Sequence, residues 1–216
     1  VKVCKQNNTG FVFNSPNKVS INGYLKLGWY SNGKMPMLIK PLFKLPLKIK
    51  DSQIEKAYHQ FSIEKALDQL HPSWSLKQKS STFVTPISTA YLKWRYKECM
   101  VANYGAIIQP GGFGIVFRMK KHRMFLECRI VEVWLEQENE KKNLQDAFKE
   151  IIQQTQPSVI TSSPVLDENG QFLLDGFWGP FGIGPEITLR KLAIDNLYNF
   201  NGYFRWSPSI GSMELF

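Results

Sequence analysis

The spacing of apolar residues changes near residue 140, in the second half of the chain. Between residues 104 and 135, three apolar stretches are separated by a Pro-Gly-Gly sequence at 110–112 and by the basic run 120–123. Glycine and polar residues at points of reversal are typical of hairpins, so three antiparallel strands are predicted. Beyond residue 140 the spacing is helical as far as Pro157, and one face carries Leu144, Ala147, Phe148, Ile151 and Ile152.

The rest of the second half predicts one short helix and several strands. Thr89 precedes apolar residues with helical spacing and is predicted to start the short helix. Residues 158–161 form a short run that predicts a strand. Residues 172–192 contain glycine, proline and aromatic residues, which favours further strands.

An apolar run and a short helical pattern open the chain. Residues 11–13 are apolar and predict a buried strand. Over residues 17–27 the apolar positions have helical spacing, and Gly28 follows as a stop signal. Residues 29–39 are predicted to form a hairpin whose turn is the Ser-Asn-Gly sequence.

Prolines separate this beginning from a helical middle. They interrupt the helical spacing of residues 40–50, which are therefore predicted to be an extended linker. Ser52 and Glu55 fit a capping box, and the apolar stripe that follows predicts a helix as far as Leu70.

These elements predict an α+β fold with a mostly antiparallel central sheet flanked by helices. Residues 89–216 contain a whole series of helix, three strands, helix and further strands, whereas residues 1–50 look like the end of a similar unit. We therefore divide the chain into a C-terminal remnant of a first unit (1–50), a helical linker (51–88) and a second unit (89–216).

The charge of the 216-residue chain is concentrated at its beginning. Lys and Arg number 27 against 18 Asp and Glu, a net charge of +9, and residues 1–50 contain no acidic residue. Such a block attracts nucleic acid, a phosphate ligand, a membrane surface or an acidic partner domain, or it forms a solvated lysine-rich face.

The composition excludes several classes of protein. The chain is 43% hydrophobic and 21% charged, as in soluble globular proteins, and no apolar run predicts a membrane span. Three scattered cysteines and three isolated histidines predict neither a disulfide framework nor a metal site. We expect a cytoplasmic protein whose start was processed, or which is a piece of a longer one, because its first residue is Val1.

One constellation could carry chemistry. Asn17 stands near the start of the first predicted helix, Tyr24 follows seven residues later, and the pair Gly28-Trp29 closes the segment. A phenol with a pKa near 10 can donate a proton to a leaving thiolate. The alternative is a surface helix on which Tyr24 simply packs against Trp29.

This segment resembles the late acetyl-CoA-binding segment of the GNAT N-acetyltransferase superfamily, in particular the end of the first half of tandem-GNAT bacterial proteins. Residues 91–96 (Tyr-Leu-Lys-Trp-Arg-Tyr) are similar to the helix that opens the second half of such proteins, and residues 206–216 to their closing segment. The resemblance implies a GNAT-like fold and acetyl transfer from acetyl-CoA, or another acyl-CoA, to an amine. It makes Tyr24 the catalytic acid and Asn17 a cofactor-binding residue, and Lys18, from the lysine block, a further candidate contact of the cofactor.

In such a domain, backbone N–H groups of a glycine-containing loop at a helix start hold the CoA pyrophosphate. The corresponding residues here, 136–142, contain no glycine and include Glu136, Glu138 and Glu140. These carboxylates would repel a diphosphate, so we expect the second unit to be non-catalytic and to shape a substrate groove. The candidate groove residues are Trp94, Tyr96, Phe177 and Trp178.

The expected partners follow from these interpretations. The substrate would be an amine-bearing small molecule or glycan, and the second unit would pack against an upstream GNAT unit. Nucleic acid is a less favoured partner. The alternative to an enzyme is a non-catalytic GNAT-derived module that binds a protein, a glycan or nucleic acid.

Overall fold

The strands form two sheets in the computed structural model, which describes residues 9–42, 51–77, 85–99, 102–167, 169–192 and 209–213. The strands are β1 (Phe11–Asn14), β2 (Tyr30–Lys34), β3 (Met37–Pro41), β4 (Gly105–Gln109), β5 (Phe113–Lys121), β6 (Leu126–Leu135), β7 (Val159–Ser162), β8 (Trp178–Phe181) and β9 (Glu186–Lys191). The helices are α1 (Ile21–Lys26), α2 (Asp51–Gln60), α3 (Ile63–Asp68), α4 (Thr89–Leu92), α5 (Lys141–Thr155) and α6 (Ile210–Met213).

The larger sheet has six strands in the order β4-β5-β6-β7-β3-β8, and the smaller sheet has the order β1-β9-β2. The pair β6–β7 is parallel, because α5 connects these two strands as a crossover, and the other described strand pairs are antiparallel. The predicted α+β fold with a mostly antiparallel sheet and flanking helices is confirmed, as are the three strands β4, β5 and β6.

The predicted hairpin over residues 29–39 is wrong. Residues 30–39 run straight on and pair antiparallel with the late segment 178–189, first through β2 and β9 and then through β3 and β8. The Ser-Asn-Gly sequence lies within β2, where Gly33 has a φ of 83° and the register shifts, so it makes a bulge and does not reverse the chain. Strand β3 therefore lies in the larger sheet, and the three-part division of the chain stays a prediction.

The predicted helix from Ser52 to Leu70 is two helices. α2 already includes Asp51, so Ser52 is not its N-cap. The break falls after Phe61, whose carbonyl oxygen accepts a hydrogen bond from the N–H of Ala106 at 3.0 Å. Ser62 then caps α3, since its hydroxyl accepts from the N–H of Lys65 at 3.4 Å.

The short helix predicted at Thr89 is confirmed as α4, which continues into a π-helical turn at Lys93–Lys97. The predicted extended linker beyond Leu42, residues 78–84 of the predicted helical linker and most of the closing segment 206–216 lie outside the described residues. Within the described part of the chain, no helix is both long and apolar enough to span a bilayer.

Each face of the larger sheet is covered by a helical layer. α5 covers one face with the predicted stripe, of which Leu144, Phe148 and Ile151 are fully buried. α3 and α4 cover the other face, where Leu67 and Leu92 pack with Val116, Val131 and Trp134 of the sheet. Burial of each large apolar side chain contributes about 1.5–3 kcal/mol, so these two layers fix the strands that carry the polar groups described next.

Candidate functional site

Asn17 organises the start of α1. Its side-chain oxygen accepts hydrogen bonds from the backbone N–H groups of Val19 at 3.0 Å and Ser20 at 2.9 Å. These two donors belong to the turn at residues 18–20 that precedes α1, and the N-cap residue of the helix, Ser20, makes no side-chain cap bond. Asn17 and the neighbouring Lys18 are both exposed. The predicted cofactor-binding pair thus lies on the surface at a helix start.

Tyr24 lies in the middle of α1, partly exposed, and its ring meets the ring of Trp29 edge-on, with centroids 5.1 Å apart. Gly28 has a φ of 81°, which lets the chain turn so that the N–H of Trp29 bonds to the carbonyl oxygen of Tyr24 at 3.1 Å. The contact expected for a packed surface helix is therefore present. It leaves part of the phenol accessible, and the catalytic role of Tyr24 stays a prediction.

α1 is unusual because none of its residues is buried. Val19 and Leu27 beside it are exposed by 88% and 66%. The helix contacts β2, and the segment before it is anchored, since Pro16 is buried and the Ser15 hydroxyl donates to the carbonyl oxygen of Met213 at 2.9 Å. A bond to the distant residue Met213 thus lies two residues before Asn17.

The connection between β6 and α5 lies where the sequence predicts it. Residues 138–140 form a 3-10 turn directly before α5. Two of the N–H groups ahead of the helix already have partners, since Glu136 donates to the carbonyl oxygen of Gly112 at 2.7 Å and Glu140 to that of Gln137 at 3.0 Å. The Glu140 carboxylate also accepts from the side chain of Gln109 at 3.0 Å. The turn before this helix is thus held by bonds within the protein, while its N-cap residue, Glu140, makes no side-chain bond to the helix N–H groups.

An ion pair closes the first turn of α5. The ammonium group of Lys141 donates to the carboxylate of Asp167, whose side chain has no exposed surface. Burial opposes ionisation of Asp167, but the bond from Lys141 and the N–H groups of Gln171 and Asn169 outweigh it and hold the pKa of Asp167 below its ordinary value. Lys141 at this helix start is therefore paired with an internal anion.

Glu132 is a buried carboxylate that the sequence analysis missed. Its Oε1 atom accepts hydrogen bonds from the hydroxyls of Tyr96 at 2.7 Å, Ser209 at 2.8 Å and Tyr91 at 3.0 Å. Burial raises the pKa of Glu132 above its ordinary value, because the hydroxyls and the nearby Arg95 only partly replace the lost water. The signal in the sequence is an acid between two valines in a strand that is otherwise apolar at this point.

A bulge in β6 gives Glu132 its orientation. Val116 pairs with Glu132 and Phe117 pairs with Ile130, so Val131 is the extra residue of the strand. An extra residue shifts the alternation of side chains along a strand. Glu132 consequently faces α4 and not α5.

A second buried carboxylate, Glu127, lies near the start of β6. It accepts from Arg129 at 3.0 Å and from the Thr161 hydroxyl, and the ring of His122 lies 2.7 Å away. Burial alone would raise the pKa of Glu127, but these partners, Arg129 above all, hold it below its ordinary value. This cluster joins β6 to β7 and has a structural role. Among the described residues, no group of His, Cys, Asp or Glu is placed to hold a metal ion.

The four predicted groove residues belong to two elements. Trp94 is 64% exposed and tilts toward Tyr91, whereas Tyr96 on the same turn is buried against Glu132. Phe177 is half-buried and stacks on a residue of α5, and Trp178 on β8 is 56% exposed. Trp94 and Trp178 are thus accessible to a substrate, and the groove itself stays a prediction.

No protein-family model and no curated protein sequence matches the chain. Among solved structures, it is similar to a GCN5-related N-acetyltransferase from Anabaena variabilis, with a TM-score of 0.46 and 11% sequence identity. The superposition covers 88% of this chain and 48% of that protein, so the chain spans about half the length of this structural neighbour.

Proposed function

We propose that the chain is part of an acyl-CoA-dependent N-acyltransferase of tandem type, in which the beginning of the chain carries the reacting site. The observation that carries this proposal is the helix start at Asn17. Its side-chain oxygen orders the turn that leads into α1, and α1 carries the partly exposed Tyr24 seven residues later. The resemblance of this segment to the acetyl-CoA-binding segment of GNAT proteins supports the same assignment.

The chemistry follows from these groups. Acetyl-CoA would supply the acyl group as a thioester, whose C–S bond breaks as the C–N bond to the substrate amine forms. The hydroxyl of Tyr24 holds a proton that can pass to the departing sulfur, and the amine loses its proton to solvent. Lys18 lies next to Asn17 and brings a positive charge toward the phosphates of the cofactor. The substrate is an amine-bearing small molecule or glycan.

In this proposal the second unit does not bind CoA. Glu136, Glu138 and Glu140 precede a helix whose first residue, Lys141, is paired with Asp167. Like charges at this point oppose a diphosphate, and the N–H groups bound to protein oxygens are not available to it. The second unit supports the front site and carries the exposed aromatic residues that would contact the substrate.

The test is acetyl-CoA calorimetry and acetyl transfer to a panel of amines, with this chain and with the full-length natural protein. The Tyr24→Phe variant should keep cofactor binding and lose most turnover, about 10²–10⁴-fold for a general acid. Tyr30→Phe is the matched control, because the Tyr30 hydroxyl is buried with no hydrogen-bond partner among the described residues, and its loss should leave turnover unchanged. Absence of acetyl-CoA binding in both proteins would refute the enzyme and favour the non-catalytic binding module.

A further inference from the structure

Residues 209–213, called the C-terminal clamp below, contact three distant parts of the chain. The Ser209 hydroxyl donates to Glu132 on β6 at 2.8 Å, and the carbonyl oxygen of Gly211 accepts from Nε of Arg95 at 2.8 Å. The carbonyl oxygen of Met213 accepts from the hydroxyl of Ser15 at 2.9 Å. α6 is too short to be stable alone, so these external bonds hold it in place.

The clamp is tightly fitted to its surroundings. Ile210 and Met213 are 4% and 3% exposed, in the same core as Tyr96. A Cβ atom on Gly211 would overlap the hydroxyl of Tyr96 and lie 2.7 Å from Oε1 of Glu132. Residue 211 therefore has to be glycine for the clamp to approach the Glu132 carboxylate.

Glu132 on β6 holds the clamp in position through its hydrogen bond with Ser209. Three hydroxyls converge on one carboxylate oxygen, and two of them belong to the buried or half-buried rings of Tyr96 and Tyr91. Tyr91 belongs to α4 and Tyr96 to the π-helical turn that continues it, and both rings pack in the core, so they cannot follow a shift of the clamp. A displaced Ser209 would lose its bond to Glu132 and would leave a buried carboxylate with one donor fewer.

The clamp also reaches the candidate active site. Ser15 is separated from Asn17 by one residue, the buried Pro16, whose ring fixes one backbone angle. Little freedom remains between the bond from Ser15 to Met213 and the asparagine that starts α1. The position of Tyr24 is therefore tied to the clamp and, through it, to β6.

We infer that the C-terminal clamp positions the helix that carries Tyr24, with Ser15, Gly211 and Glu132 as positioning residues. The inference rests on the proposed function in that it takes Tyr24 as the catalytic acid. How the helix is held in place is argued from the contacts described above. None of the three residues needs to touch the substrate.

Amide hydrogen exchange of this chain tests the clamp without any ligand. The amides to follow are those of Tyr24, Leu27 and Trp29, which are hydrogen-bonded in or next to α1. In Ser15→Ala they should exchange about tenfold faster, as expected for the loss of one hydrogen bond, while amides in α5 are unchanged. Ser15→Thr keeps the hydroxyl and should restore protection.

The matched control is Ser62→Ala, which removes the cap of α3 far along the chain from α1. It should lower the overall stability slightly and leave exchange in α1 as it is. Unchanged exchange in α1 of Ser15→Ala would overturn the inference. Equal acceleration in Ser15→Ala and Ser62→Ala would overturn it as well, since the effect would then reflect stability alone.

Glu132 gives a second test that does not depend on Ser15. Glu132→Gln keeps an oxygen that accepts the hydroxyls and should keep α1 protected, whereas Glu132→Ala should accelerate exchange in α1. The same protection in both variants would exclude Glu132 as a positioning residue.

In the full-length protein, Ser15→Ala should also lower kcat at saturating acetyl-CoA. If the unmodified protein transfers no acetyl group, the proposed function is refuted. The exchange data would still show whether the clamp positions α1.

Discussion

The indole of Trp134 on β6 occupies the space in front of Gly114, its cross-strand partner on β5. A Cβ atom at residue 114 would overlap the six-membered ring of the indole, which is itself 2% exposed and packed near Trp74. The glycine is thus required by close packing, since its backbone angles are ordinary.

Gly114→Ala should destabilise the chain by about 1–3 kcal/mol, because Trp134 would have to leave its rotamer in a closely packed core. Urea unfolding followed by tryptophan fluorescence measures this change. Gly182→Ala is the control, since Gly182 has no atom near its Cβ position and should tolerate alanine. Equal stability of the two variants would contradict the packing described for Trp134.

Two replacements of Glu132 distinguish the effect of its negative charge from its role as a hydrogen-bond acceptor. Burial raises the pKa of Glu132, so the folded protein loses stability as the pH rises through that pKa and the carboxyl ionises. Glu132→Gln should abolish this part of the pH dependence and be at least as stable as the parent at pH 7. Glu132→Ala should lose about 3 kcal/mol, because buried hydroxyls are left without an acceptor. Parallel stability–pH curves for the parent and Glu132→Gln would contradict this account.

Glu127 should show the opposite pH dependence. Its pKa is held low against the effect of burial, mainly by Arg129, so its contribution is present above the ordinary carboxyl pKa and is lost as the pH falls through the folded value. Glu127→Ala should therefore cost about 3 kcal/mol at pH 7 and much less at pH 3. Chemical unfolding at the two pH values gives the comparison. If Glu127→Ala loses as much stability at pH 3 as at pH 7, packing and not charge explains the loss.

The sequence predicts the elements whose signals are local. The turns at 110–112 and 120–123 and the stripe from Leu144 to Ile152 lie within or beside the elements that they define, so β4, β5, β6 and α5 could be predicted. The end of α1 before Gly28 could be predicted for the same reason, although the helix begins at Ile21 and not at residue 17. The positive φ of Gly28 could also be predicted, because glycine adopts such backbone angles without a steric penalty.

Long-range pairing and buried polar contacts could not be predicted in this way. β2 pairs with a strand about 155 residues later, as Ser31 and Thr188 show, and no feature within 29–39 indicates that partner. Glu132 receives donors from α4 and from residue 209, which come together only in the fold. The role of Asn17 in the turn before α1, by contrast, could be inferred from its residue type, since asparagine side chains commonly bond to backbone groups a few residues away.

The most direct test of the account is a map of amide hydrogen exchange in the full-length natural protein, with and without saturating acetyl-CoA. Protection should appear at residues 17–28, around Asn17 and Tyr24, and residues 136–142 should exchange as they do in the free protein. Protection centred on residues 136–142, with none at the start of α1, would contradict the account.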